Sequence, residues 1–412
     1  MEFIADFHIH SKYSRATSRN MEIKCLAEWA KLKGINLMGT GDFTHHLWLE
    51  ELKHHLEDTG NGLFKYQDTH FILTTEISSI YSKRNKTYRI HNMIFSPSFK
   101  TTDKINERLS RIGNLASDGR PILGLDAAEL ARIIFDIDEN CMIVPGHIWT
   151  PWFSLFGSMS GFDRIQDCFE EQTPKIFALE TGLSSDPGMN WRLSALDKFS
   201  LISNSDSHSP QKIGREANVF DCELDYKTIR EVLRTKDKKR FLYTIEFFPE
   251  EGKYHFDGHR ACGIRFSPAE TKANNGRCPK CARPLTVGVM NRVEQLADRP
   301  QGYVPSSAIP YKNLIPFDEI IAEAKGMNKT AVAVEREYRS FLAKFGNEFE
   351  ILLKASKEDL LKGLPPRVAE GVLRVRAGKV NINPGFDGEY GIISIFTGED
   401  KQEKNEQQLS LF

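Results

Sequence analysis

Imidazole and carboxylate side chains that could hold metal ions are spread over about two hundred positions of this 412-residue chain. Asp6-Phe7-His8-Ile9-His10 closes the first apolar run, and Asn204-Ser205-Asp206-Ser207-His208 follows far downstream. Between them stand Asp42, His45, Glu76, His91 and His147, each at or just past the end of an apolar stretch. Such donors suit zinc, with magnesium or manganese possible at one position. Strand ends converge on one face of an α/β barrel, so scattered ligands become one site. His8, His10, Glu76, His91, His147, Asp206 and His208 suffice for two or three ions, with Glu76 or Asp206 as a bridge. Ions about 3.5–4 Å apart steady the attacking and leaving oxygens of phosphoryl transfer and acidify water. Phosphate-ester hydrolysis is therefore the natural reaction, with Glu76, His147, Asp206 and His208 at its centre. A lone His is more often an ordinary core or surface residue, and His54, His55 and His70 are read that way.

The elements that must position these donors alternate. Short apolar strands are expected at Phe3–Phe7, Ile35–Thr40, Phe71–Ile77, Tyr88–Phe95, Cys141–Pro145, Ile176–Glu180 and Leu201–Asn204. Helical patterns at Met21–Lys33, Ala127–Asp136 and Tyr226–Thr235 lie between several of them. Alternation of this kind predicts an α/β fold with a parallel sheet or barrel over residues 1–244.

Residues 245–299 are rich in Gly, Pro and Cys. His259-X2-Cys262 and Cys278-X2-Cys281 are two short-spaced pairs that fit one structural zinc, with His255 as the alternative fourth ligand. From His259 to Arg299 eight basic residues stand against three acidic ones, an excess of five in a chain of net charge −1. Arg265 and Arg277 in this patch are candidate DNA-backbone contacts. Residues 300–397 read as mostly helical, at Tyr311–Ala324, Thr330–Phe345 and Arg367–Arg376. Within them Asp359–Ala369 looks like a helix-hairpin-helix, with Gly363 and Arg367 placed to meet a phosphate. Residues 398–412 form a polar tail ending in Gln408-Leu409-Ser410-Leu411-Phe412, apolar anchors with no core to join, which suggests a docking peptide.

Composition narrows the classes. A near-neutral chain with no apolar run of membrane length and no signal peptide is expected in the cytoplasm, with no membrane partner. Seven cysteines there are thiols or zinc ligands rather than disulfides.

The order of the ligand motifs resembles the PHP (polymerase and histidinol phosphatase) family, whose members look like distorted seven-stranded barrels with three metals at the strand ends. Asp42 falls where that family has an Asp-His pair, but here the sequence reads Gly41-Asp42-Phe43-Thr44-His45. Where the family often has an acidic residue after the first motif, this chain has Tyr13-Ser14-Arg15, and Arg15 suits a phosphate better than a metal. The whole arrangement resembles the endonuclease Q family in its bacterial form. The segments Gly146–Phe153, Glu180–Pro187, Ser203–Ser209, Cys262–Val289 and Asn383–Gly391 carry that likeness. It implies a nuclease cutting double- or single-stranded DNA on the 5′ side of uracil, hypoxanthine, xanthine or abasic sites, with the damaged base flipped into a pocket. Trp149, Trp152 and Phe153 follow His147 and either stack on that base or belong to the core; Asn190 is a candidate donor to its carbonyl. The terminal pentapeptide resembles the motif by which bacterial repair proteins bind the β sliding clamp. Two rival readings are a histidinol-phosphatase-like enzyme and a clamp-tethered DNA-binding module without activity.

Overall fold

The computed structural model describes residues 1–396, and the terminal pentapeptide Gln408–Phe412 lies outside them. Seven strands occupy the seven expected stretches. The first, β1 (Glu2–Asp6), pairs in parallel with β2 (Leu37–Gly39), which pairs in parallel with β3 (Thr69–Lys83). β3 does not stop near Ile77. It runs on to a two-residue turn at Arg84-Asn85, both at positive φ, and returns antiparallel as β4 (Lys86–Ser96). β5 (Met142–Pro145) continues antiparallel to β4, while β6 (Ala178–Glu180) and β7 (Ser200–Ile202) pair in parallel with each other.

Several further strands escaped the sequence reading, and two of them extend the sheet beyond β1. β8 (Ala217–Asp221) lies antiparallel to β1, and β9 (Phe241–Glu246) antiparallel to β8. The purely parallel sheet expected is thus a mixed one. Among the described residues its ladder runs from Tyr311–Asn313 through β9, β8, β1, β2, β3 and β4 to β5, with the short strands Phe64–Tyr66 and Ile122–Leu123 also on β3, and does not continue into β6 and β7. Side-chain packing bridges that break. Phe7, Leu37, Ile72, Phe95, Val144, Ala178, Ile202 and Phe220 come from eight strands or strand ends and share one apolar cluster.

Helices Ile23–Lys33, Ala127–Ile137 and Tyr226–Thr235 form near the expected ranges, the last two with Asp126 and Asp225 as N-caps accepting backbone N–H bonds. Tyr311–Ala324 is not one helix. Tyr311–Asn313 is a strand parallel to β9, and the helix begins at Phe317. Pro316 explains the break, because the residue before a proline is steered away from helical φ/ψ. Helices Phe317–Lys325, Val332–Phe345, Lys357–Gly363 and Pro366–Arg376 then build the C-terminal region. It is bolted to the first helix by a buried Lys33–Glu348 ion pair (2.6 Å) and by Trp29 stacked on Tyr338. The cysteine-rich segment folds as a hairpin, Asp257–His259 with Ile264–Phe266, followed by helices Pro268–Ala273 and Val289–Leu296.

Candidate metal centre

Just past the end of β1 stand His8 and His10, two residues apart in sequence, with both rings buried. β3 and β4 bring Glu76 and His91 to the same place, the loop after β5 supplies His147, and the loop after β7 supplies Asp206. Two donor groups result. His8, His10, Glu76 and Asp206 form one; Glu76, His91 and His147 form the other. Glu76 joins them, one oxygen to each. Its Oε2 lies 3.5 Å from His8 Nε2 and 3.2 Å from His10 Nε2. Its Oε1 lies 2.7 Å from His91 Nδ1 and 3.2 Å from His147 Nε2. A carboxylate so placed is a bridge between two ions.

Two more carboxylates stand behind the rings. Glu180, at the end of β6, puts both oxygens 3.0 and 3.1 Å from His8 Nδ1 and accepts the His147 backbone N–H at 2.7 Å. Asp42 lies 3.0 Å from His10 Nδ1, and its other oxygen accepts from the Ser11 N–H, the Ser11 hydroxyl and the Ser14 hydroxyl. A carboxylate on Nδ1 keeps the proton there and leaves the Nε2 lone pair for a metal. Asp42 therefore positions a ligand instead of serving as one. Its oxygens are already satisfied.

The backbone shows what this costs. Asp42, His147 and Asp206 all have positive φ (52°, 29° and 45°), which non-glycine residues rarely adopt. Beneath His147 only a glycine fits: a Cβ on Gly182 would lie 2.5 Å from the His147 Cβ.

The donor set fits divalent cations on independent grounds. His8 Nε2, His10 Nε2 and Asp206 Oδ1 are all buried without a hydrogen-bond partner, and all three face the Glu76 group. Unpartnered buried polar atoms are costly unless something absent completes them. The electrostatics agree. Burial alone would lower the pKa of His8, yet Glu180, Glu76 and Asp206 outweigh it and hold the ring well above its ordinary value. His10 shifts the same way against its own burial, through Asp42, Asp206 and Glu76. Carboxylates that draw protons onto buried imidazoles mark a place short of positive charge, and metal binding displaces such protons.

His45 and His208, both expected as ligands, join neither group. His45 caps helix His46–His55 with its ring stacked on Tyr13, and His208 stacks on His10 with its Nδ1 2.9 Å from the Asp206 carbonyl. The described residues thus present two groups where the PHP resemblance implies three metals. Glu180 and Arg120 were missed. Glu180 closes an apolar run as His147 does, a usable signal. Arg120, whose Nη1 lies 3.2 Å from Glu76 Oε2, sits in a loop with no signal at all.

The proposed DNA contacts divide. Trp149 is core: it is 1% exposed, donates to Asn190 Oδ1 at 2.8 Å and packs on Phe156. That also occupies Asn190, whose amide donates to Ser185 and Asp186. Phe153 covers the His91 ring, 4.8 Å between centres. Trp152 is 40% exposed beside Tyr254, on the wall of a cavity of about 840 Å3 that Thr150, Ser184, Arg215 and Tyr390 also line. The Thr150 hydroxyl is 3.2 Å from His147 Nδ1, so this cavity opens beside the metal centre. Arg15 is exposed and paired with Asp118. Arg265 reaches Asn383 and the Pro384 carbonyl, and Arg277 the Ala282 carbonyl; both residues are exposed. Helices Lys357–Gly363 and Pro366–Arg376 do meet in a short hairpin. Gly363 there has a packing reason, since a Cβ would strike the Phe345 ring at 2.4 Å, and Arg367 lies over the Phe396 ring.

Apart from this centre, His259, Cys262, Cys278 and Cys281 come together as one four-donor group, with His259 Nδ1 3.7 Å from Cys281 Sγ. His255, the alternative, is buried outside it.

Fold and site together define a mixed α/β protein with two adjoining donor groups that could hold divalent cations. The crystal structure of the lesion-specific endonuclease PfuEndoQ from Pyrococcus furiosus matches it with a TM-score of 0.86 and 32% identity, over 98% of this chain and 99% of that one. The chain belongs to the endonuclease Q family. An endonuclease Q complex with a 27-mer duplex bearing an abasic lesion at the active site matches at 0.85, with 32% identity, over 97% and 98% of the two chains. YqxK of Bacillus subtilis is 28% identical over 409 residues, 94% of this chain and 98% of that protein. MJ0043 of Methanocaldococcus jannaschii is 36% identical over 268 residues, 63% of this chain but only 33% of that longer protein. The family model for the MJ0043 C-terminal domain matches residues 316–379.

Proposed function

We infer that this chain is a metal-dependent DNA repair endonuclease that cuts at lesions. One conjunction carries the reading: a Glu76-bridged pair of ligand groups in a chain that matches a lesion-specific endonuclease over nearly its whole length. The finer reading is cleavage 5′ to uracil, hypoxanthine, xanthine or an abasic site, leaving a 3′-hydroxyl and a 5′-phosphate.

His8, His10, Glu76 and Asp206, and Glu76, His91 and His147, would hold two divalent ions, whose charge would favour the attacking and leaving oxygens of phosphodiester hydrolysis. The chain's own residues do the rest. His8, His10 and Asp206 define one position, His91 and His147 the other, and Glu76 sets their spacing. Asp42 and Glu180 hold the two β1 rings with Nε2 turned inward. Phe153 shields His91 from water.

The base enters the cavity beside His147. Trp152, Tyr254 and Tyr390 offer it flat faces, and Lys253, over the rings of Tyr254 and Tyr390, brings positive charge to the adjoining backbone. Zinc occupies the His259/Cys262/Cys278/Cys281 group and the metal centre, with magnesium or manganese at one catalytic position. The protein works in the cytoplasm, and no described helix is long and apolar enough to cross a membrane. Gln408–Phe412 docks on the β sliding clamp, and deleting those five residues should abolish clamp pull-down.

The decisive assay uses a labelled duplex with one deoxyuridine beside its undamaged twin, with and without chelator. A single nick 5′ to uracil, absent from the twin and lost on chelation, is expected. No nick on any damaged duplex, with hydrolysis of a simple phosphomonoester instead, would overturn the reading.

A further inference from the structure

Arg120 is the cationic side chain that touches the metal centre, and no ligand role accounts for it. Its Nη1 sits 3.2 Å from Glu76 Oε2, the oxygen that also faces His8 and His10. Its remaining guanidinium N–H groups have no partner among the described residues, and the side chain is 30% exposed. One edge of the fork is therefore on the bridging carboxylate, and the other is left for a further partner.

The loop that carries it is clamped. The Asp118 carboxylate accepts the backbone N–H groups of both Arg15 and Arg120 and pairs with the Arg15 guanidinium. The Gly119 N–H donates to the Tyr13 carbonyl, and a Cβ on Gly119 would lie 2.3 Å from Asp42 Oδ2 and 2.4 Å from Ser14 Oγ. Arg120 is thereby located against the same Asp42 that orients His10.

Two divalent ions on Glu76 would draw on the same oxygens that hold Arg120. When both groups are filled, like-charge repulsion loosens Arg120 from Glu76. A phosphodiester at the centre brings the negative charge that the guanidinium then lacks, in the planar geometry it binds best.

We propose that Arg120 is a catalytic residue: it moves from Glu76 to a non-bridging oxygen of the scissile phosphate, where it stabilises charge in the transition state, while Arg15, coupled through Asp118, holds a neighbouring phosphate. The proposal rests on the endonuclease reading above.

The test compares wild type, Arg120→Ala and Arg120→Lys on the deoxyuridine duplex, with zinc and manganese affinity measured separately by competition with a chelating dye. Arg120→Ala loses about 10²–10³-fold in kcat, as for other groups that act on developing charge. KM changes far less, Lys restores only part of the rate, and added guanidinium ion partly rescues the Ala variant. Metal affinity stays level or rises, because a competitor for Glu76 is gone. If Arg120 merely supported Glu76, metal affinity would fall about 10–100-fold and excess metal would restore the rate; that result overturns the proposal. So does an Ala variant as fast as wild type. A wild-type protein that nicks no damaged duplex would instead defeat the endonuclease reading itself.

Discussion

The metal centre draws its donors from residues 8 to 206, whereas the cysteine-rich knuckle draws all four from residues 259 to 281. In the first, every ligand except Asp206 is buried, and separate carboxylates hold the β1 rings. In the second, Cys281 is exposed and only Cys278 is fully buried, so the donors have little but one another. The core around the first site thus carries its own supports, whereas the knuckle has few, so the knuckle is expected to depend more on an ion for its shape.

The sharpest way to break that contrast is to disarm the first site without unfolding it. Asp206→Asn should cut nicking by about 10³-fold or more, with a melting temperature shifted by only a few degrees because the core does not rest on Asp206. Turnover near the wild-type rate would sink the ligand assignment. The converse change, Cys278→Ser, should unravel the knuckle alone. Amides of residues 257–288 would exchange about 100-fold faster while β1 stays protected, as hydrogen exchange followed by mass spectrometry can read.

Glu180→Gln asks how far the supporting carboxylates of the first site matter. It should weaken metal binding about 10–100-fold, with nicking regained at excess metal. Arg265→Ala combined with Arg277→Ala tests the knuckle as a DNA footprint. Binding should weaken several-fold, and the slope of log affinity against log salt should become shallower by about 1–2; an unchanged slope means the patch is merely solvated.

The smallest effect is one of pH, and its sign differs between the regions. Burial pushes the pKa of Glu246 up to about 8, and neighbouring Glu216 shifts upward for the same reason. An unfolded carboxyl ionises near 4.5, so the stability tied to the retained proton is full below that value and is lost as pH rises toward 8. Glu246→Gln should therefore gain about 1–3 kcal/mol on the wild type at pH 8.5 compared with pH 5. The knuckle should hold zinc more tightly over the same rise, since its thiols must lose protons to bind. Thermal melts and chelator competition at the two pH values check both signs.

Much of the centre was legible. His8 and His10 share a face by strand periodicity alone, and Glu76, His147 and Asp206 stood out as strand-end donors. The knuckle was legible because its pairs are local. What failed did so for identifiable reasons. Asp42 reads like any ligand carboxylate, and only its three hydroxyl and amide donors reveal a supporting role. Trp149 and Trp152 differ by three positions, yet one is core and the other lines a cavity, because a left-handed turn at Phe153 and the packing of Phe156 separate them. β8 and β9 were missed, and with them the antiparallel extension of the sheet beyond β1.

By itself, the sequence determined the chemistry: which donors exist, that they suit divalent ions, and that four more lie close enough along the chain to form a knuckle. Those are properties of side-chain type and short spacing. Only the tertiary structure decided which carboxylate bridges and which supports, that His45 and His208 stand aside, and that Arg120 reaches Glu76. Each of those depends on registers between strands and on loops distant in sequence, where a shift of one residue turns a side chain to the opposite face.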